Sequence, residues 1–245
     1  LDANGVHQWA AGGVPVCLED YGQRYTVITS DGSGGAVVAW QDYRTAGSFL
    51  GIYAQRLDAN GNILWTPEGV VINETIWSGD WVVAIAGDGS GGAYVVWEDV
   101  RADPDIYAQR LNSLGQTVWT PGGTPVVQAP EHQSSFDVVS DGHDGVFVTC
   151  YDTRKGTHDI YAQHLGWDAS PTGPHTVVEV CTHAEGPFGP SAVPGGSGLI
   201  VTWYDTRNLA TTGIDVYAHL VFTDLAFFRD GFESGDTGAW NQSVP

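Results

Sequence analysis

Four short blocks carry most of the side chains that could do chemistry: Trp40-Gln41-Asp42-Tyr43-Arg44, Trp97-Glu98-Asp99-Val100-Arg101, Cys150-Tyr151-Asp152-Thr153-Arg154 and Trp203-Tyr204-Asp205-Thr206-Arg207. On a strand, side chains alternate, so Trp, Asp and Arg of each block share one face. Four equivalent carboxylates, Asp42, Asp99, Asp152 and Asp205, could ring a central channel and hold Ca²⁺ or Na⁺ through oxygen ligands. The arginine two positions on would neutralise that ring. The pattern therefore reads first as structural, with tryptophan packing between sheets and Asp pairing with Arg or with backbone. Loops opening on Asp31, Asp88 and Asp141 are a second calcium candidate, although Asp-Gly turns need no metal. No cofactor other than such an ion is suggested.

Glycosidase chemistry needs two carboxylates in distinct environments, and none stands apart from the repeat. Arg44, Arg101, Arg154 and Arg207 could grip an acidic sugar as sialidase arginines do, but they are repeat-equivalent, and a catalytic cluster should be asymmetric. The Ser-x-Asp-x-Gly-x-x-Trp box of sialidases is replaced by Ser30-Asp31-Gly32-Ser33-Gly34-Gly35. Gly-x-Ser-x-Gly, His-Glu-x-x-His and Walker patterns are absent. The expectation is a non-enzymatic protein with no catalytic residue. Trp77, Trp81 and Trp167, which break the repeat, are the candidates for stacking on a sugar. Asn73-Glu74-Thr75 and Asn241-Gln242-Ser243 have the form of glycosylation sequons at Asn73 and Asn241.

The blocks recur because the chain does. Ile52-Tyr53-Ala54-Gln55-Arg56-Leu57 returns as Ile106 to Leu111, as Ile160-Tyr161-Ala162-Gln163-His164-Leu165, and as Val216-Tyr217-Ala218-His219-Leu220. A Gly-rich hairpin signal precedes each block: Asp31-Gly32, Asp88-Gly89, Asp141-Gly142 and the degraded Gly195-Gly196. Units 1–56, 57–110, 111–164 and 165–220 follow, each about 54 residues, near the span of a four-stranded propeller blade. Strands are predicted in the second unit over 62–72, 80–86, 92–99 and 105–111, with Asp88-Gly89 and Asn60-Gly61 at tight turns. Runs such as Ala93-Tyr94-Val95-Val96-Trp97 are apolar on both faces, as in sheets covered on both sides. The predicted fold is an all-β, four-bladed propeller over 1–220 with a C-terminal extension, 221–245. The segment 7–16 could pair with the strand at 216–220, closing the ring or joining a neighbouring molecule.

Composition narrows the class. The 245 residues include 29 Asp and Glu against 9 Lys and Arg, a formal net charge of -20. Such a surface repels phosphate backbones, so a nucleic-acid partner is disfavoured. No run of 18 apolar residues is present to span a membrane as a helix. Cys17, Cys150 and Cys181 allow at most one internal disulfide. Cys150 stands at a tryptophan position and reads as a small buried hydrophobe. Cys17 and Cys181 occupy similar places in the first and last units and could bridge.

The Trp-x-Asp-x-Arg and Ile-Tyr-Ala-Gln-Arg-Leu repeats resemble those of bacterial extracellular propeller-like proteins. The ending Phe227-Phe228-Arg229-Asp230-Gly231-Phe232-Glu233-Ser234-Gly235-Asp236-Thr237-Gly238-Ala239-Trp240 resembles the DGFESGDTSAW-type ending of many secreted bacterial proteins, with Gly238 in place of serine. The resemblance implies an exported protein and no particular reaction. Phe227, Phe228, Phe232 and Trp240 make the tail a candidate for self-association or for folding back on the body. The expected role is an extracellular structural or adhesive protein, in one form a self-assembling filament subunit. The alternative is a lectin-like propeller that binds glycans.

Overall fold

A computed structural model describes residues 6–10, 12–44, 49–77, 83–99, 105–127, 129–143, 145–170, 177–183, 186–195 and 198–222, without the side chains of 49–50 and 75–77. The described residues form fifteen strands and no helix. In chain order these are β1 (Gln23–Ser30), β2 (Ala36–Asp42), β3 (Phe49–Leu57), β4 (Val70–Trp77), β5 (Val83–Gly87), β6 (Ala93–Asp99), β7 (Asp105–Leu111) and β8 (Thr124–Val127). They continue as β9 (Gln133–Ser140), β10 (Val146–Asp152), β11 (Asp159–Leu165), β12 (Val178–Cys181), β13 (Pro187–Gly195), β14 (Gly198–Asp205) and β15 (Asp215–Phe222).

The strands make four antiparallel meanders: β1-β2-β3-β4, β5-β6-β7-β8, β9-β10-β11-β12 and the three-stranded β13-β14-β15. We call these sheets 1 to 4. Each hairpin between the first two strands of sheets 1 to 3 turns on an aspartate. Asp31 Oδ1 accepts the backbone N–H of Ser33 at 2.8 Å and of Gly35 at 2.7 Å, and Asp88 and Asp141 do the same. This is the Asx-turn chemistry that favours Asp at a turn start. The predicted strand over 62–72 is shorter in the structure: residues 62–69 form a turn, tied by the Leu57↔Ile63 bridge, and the strand starts at Val70. It closes sheet 1, so the sheets are offset from the sequence units by one strand.

Three apolar layers lie between successive sheets. Val37, Ala39, Ile52 and Ala54 of sheet 1 pack on Val83, Ala93, Val95 and Trp97 of sheet 2. Tyr94, Val96, Ile106 and Ala108 of sheet 2 pack on Phe136, Val146, Val148 and Cys150 of sheet 3. Phe147, Ile160 and Ala162 of sheet 3 pack on Leu199, Val201 and Trp203 of sheet 4. Every residue of β6 is buried, which is what a strand with apolar residues on both faces requires. First strands also pack in series: β1 on β5, β5 on β9, β9 on β13. A comparable contact between β13 and β1 is absent among the described residues. Among the described residues, 7–10 and 12–16 form no strand, and β15 pairs with β14 alone. Closure by these residues within the chain is therefore not seen. Glycine is required where the fourth strand begins: Gly69 and Gly123 have φ of +94°, and a Cβ there would lie 2.6 Å from Trp40 and 2.5 Å from Trp97.

Candidate functional site

The repeated Trp-x-Asp-x-Arg block folds into a clasp within each sheet. In sheet 1 the Trp40 indole N–H donates to Asp42 Oδ2 at 2.8 Å, and Arg44 Nη2 donates to the same oxygen at 2.6 Å. The Arg44 backbone N–H donates to Asp42 Oδ1 at 2.8 Å. The guanidinium also lies 3.8 Å from the Tyr53 ring centroid, a cation–π contact. Sheet 4 repeats this with Trp203, Asp205, Arg207 and Tyr217. Sheet 3 keeps Asp152, Arg154 and Tyr161 with Cys150 in the tryptophan place. In sheet 2 Asp99 accepts from Trp97 at 3.3 Å, while Arg101 lies outside the described residues. The Arg207 hydrogen bond, opposed by burial, holds the Asp205 carboxyl down at about 2.

These contacts locate the residues expected to bind calcium. Asp42, Asp99, Asp152 and Asp205 sit in four different sheets, all fully buried; Asp42, Asp152 and Asp205 are each held by the arginine of their own block, and Asp99 accepts from Trp97 and from Asn73 of sheet 1. They do not converge on a common ion. The Asp31 loop is occupied likewise, since Arg56 Nε and Nη2 donate to Asp31 Oδ2 at 3.0 and 2.8 Å. Among the described residues no group of three His, Cys, Asp or Glu is placed to hold a metal.

Of the expected sugar-stacking residues, Trp167 is 61% exposed, and its carbonyl accepts the Trp119 indole N–H at 2.8 Å. Trp77 ends β4, without a described side chain, and Trp81 lies outside the described residues. Asn73 of the first sequon is buried, and its amide donates toward Asp99 at 3.4 Å. Asn241, Phe227, Phe228, Phe232 and Trp240 lie outside the described residues. All three cysteines are free; Cys150 is in the core, and Cys17 and Cys181 form no bridge.

The blocks differ at the position between Trp and Asp, which points away from the clasp. It is Gln41, Glu98, Tyr151 or Tyr204 in sheets 1 to 4. Glu98 continues the face of Tyr94 and Val96 that turns toward sheet 3. Its side chain is 9% exposed and makes no hydrogen bond among the described residues. Burial pushes its carboxyl up, and the nearby His132 only partly offsets this. An uncompensated buried carboxyl favours its protonated form. In the next two sheets the same position starts an aromatic row. Tyr151 stacks on Phe188 with centroids 6.0 Å apart, and Phe188 stacks on Tyr204 at 5.6 Å. His158 joins at 4.8 Å from Tyr151. Tyr204 is 45% exposed. This end thus combines a protonatable carboxyl with partly exposed aromatic faces, a pairing suited to an uncharged polar ligand. What the repeats share does not reveal this position; the single Glu among Gln, Tyr and Tyr is its only mark in the sequence.

No known family and no curated protein matches the chain. Solved structures do. A mutant of the α-L-arabinofuranosidase of Fusarium graminearum with an iminosugar inhibitor is 12% identical, covering 84% of this chain and 65% of its own, with a TM-score of 0.49. An α-L-arabinanase of Penicillium chrysogenum complexed with arabinobiose is 13% identical over the same shares, at 0.48. A GH43 endo-arabinanase from Bacillus licheniformis is 12% identical, covering 82% of this chain and 73% of its own, at 0.40. At these identities no activity transfers. The expectation of a non-enzymatic structural or adhesive protein stands corrected to this extent: the three similar structures named here are glycoside hydrolases, and the likeness by itself assigns no role to this chain.

Proposed function

We propose that the four sheets are blades of a propeller, and that the end carrying the variable block position is a carbohydrate-active site. In this reading an uncharged glycan lies along the row Tyr151, Phe188 and Tyr204, with Glu98 the carboxyl that donates a proton to a sugar oxygen. The observation that carries the proposal is Glu98: one carboxyl, buried and without a hydrogen-bond partner among the described residues, at a position where the other three sheets carry Gln or Tyr. Burial shifts the Glu98 carboxyl upward, the direction that general-acid chemistry at an acetal uses. A chain of net charge -20 repels acidic glycans, which leaves neutral ones.

Cleavage would need a second carboxylate to complete the pair. Asp42, Asp152 and Asp205 are held by arginines, so the proton-donor role of Glu98 is assigned here and no second partner is. The test is retention of the protein on a panel of insoluble neutral polysaccharides, arabinan among them. Retention of the wild type that falls at least tenfold in Tyr204→Ala supports the site. Retention on none of them, or equal retention of the variant, removes it.

A further inference from the structure

Sheet 4 is unfinished in two ways that a second copy of this chain would complete. Val216 is 80% exposed, whereas its repeat equivalents Ile52, Ile106 and Ile160 are no more than 1% exposed, each covered by the following sheet. Ile200, Val193 and Leu220 are exposed with it. Among the described residues sheet 4 also has three strands where the others have four. At the other end of the series, Ile28 and Tyr25 on β1 are exposed. Ile28 is the equivalent of Ile85, which packs between sheets 1 and 2.

Residues 6–17 show what is missing. They sit on sheet 1 as the fourth strand of a preceding sheet would. The Trp9 indole N–H donates to the Ala59 carbonyl at 2.9 Å. Trp65, ahead of β4, donates to Ser113 of the next sheet's turn at 3.0 Å, and Trp119, ahead of β8, to Trp167 at 2.8 Å. Eight residues after each tryptophan stand Cys17, Asn73 and Val127. Arg44 Nη2 lies 3.4 Å from Cys17 Sγ, and Arg207 Nη2 lies 3.4 Å from Sγ of Cys181 in β12. Trp9 and Cys17 therefore contact sheet 1 as the equivalent residues of a complete fourth strand contact the next sheet, but among the described residues no sheet pairs with their segment.

We propose that this sheet is sheet 4 of a second copy: its exposed face packs on β1 and β2 of the neighbour, and the neighbour's segment 14–17 pairs with its β15. The contact is strand addition to an open edge, reinforced by the apolar packing seen three times within the chain, and it is head-to-tail. The register follows from the complete sheets, where Ile52 pairs with Asn73, Ile106 with Val127 and Ile160 with Cys181. Val216 of one copy then faces Cys17 of the next, close enough for a disulfide. The inference goes beyond the carbohydrate reading and does not depend on it.

The test is catalysed air oxidation of Val216→Cys, with V216C/C17S as control, read by non-reducing gel and by mass. Intermolecular dimers and higher species in V216C, lost in V216C/C17S, are expected. Failure to cross-link, or a link within one chain that closes the ring on itself, would overturn the proposal. A second measurement needs no cysteine chemistry: Val216→Asp should lower the sedimentation-detected association of the wild type at least tenfold. A wild type that stays monomeric at the highest soluble concentration contradicts it.

Discussion

Trp40 and Asp42 are joined by a 2.8 Å hydrogen bond from the indole N–H to a fully buried carboxylate oxygen. That bond gives the repeat its form. It fixes the tryptophan ring so that Tyr53 stacks on it at 6.3 Å, and it places the carboxylate where Arg44 can close the clasp from the strand end. The same Trp–Tyr stacking recurs at 6.3 Å for Trp97 with Tyr107 and at 6.1 Å for Trp203 with Tyr217.

Removing one partner of this clasp leaves the others buried and unpaired, so Asp42→Ala should cost about 3–5 kcal/mol. The Lys155–Glu179 pair is a control of equal formal charge, with both side chains about half exposed. Glu179→Ala should change stability by less than about 1 kcal/mol, because solvent screens the pair. Urea denaturation of the two variants against the wild type measures both.

The clasp also predicts the acid limb of stability. Asp205 is held at about 2, below its ordinary 3.8, chiefly by the hydrogen bond from Arg207. A carboxylate depressed on folding stabilises the native state above its unfolded pKa and loses that stabilisation as pH falls through the folded value. The wild type should lose on the order of 2 kcal/mol from this group between pH 4 and pH 2. Asp205→Asn should show a lower plateau and a flatter acid limb in thermal melts taken across that range.

Glu98 has the opposite sign. Its carboxyl is pushed up by burial, so the folded state binds a proton more tightly than the unfolded chain, and stability falls as pH rises through the folded value. Glu98→Gln keeps the shape without the titration. It should be more stable than the wild type at pH 8 and equal to it at pH 3.5, as read by urea midpoints at the two pH values. Equal midpoints at both would contradict the burial of an uncompensated carboxyl.

Thiol chemistry separates the three cysteines. Burial pushes the Cys150 thiol up to about 12, which leaves almost no thiolate to react. Cys17 and Cys181 are partly exposed. Titration with a thiol reagent should count two groups in the native protein and three after unfolding; three in the native state would contradict the packing of Cys150 between sheets 2 and 3.

Much of this architecture was readable in the residues. Asp88-Gly89 and Asn60-Gly61 announced their turns because a short acidic or amide side chain and a free φ are what such turns use, and Gly61 and Gly89 do take positive φ. The apolar run at β6 announced a sheet covered on both faces. The offset of sheets from units was not readable, since Leu57 to Gly61 looks like a beginning while the chain folds back through Val70 to finish the sheet behind it. The repeat also drew attention to Asp42, Asp99, Asp152 and Asp205, whose likeness reflects a shared clasp. Glu98 was harder to see, because its significance depends on burial and on missing hydrogen bonds, which a sequence does not display.

The measurement that bears most on the carbohydrate reading is a comparison of wild type and Glu98→Gln for reducing-end release from the neutral polysaccharide that retains the protein. The expected result is that both proteins are retained equally and that release by the wild type falls at least a hundredfold in the variant, the size of effect typical of a lost general acid. Retention without any release by the wild type, or equal release by the two, would contradict the role assigned to Glu98.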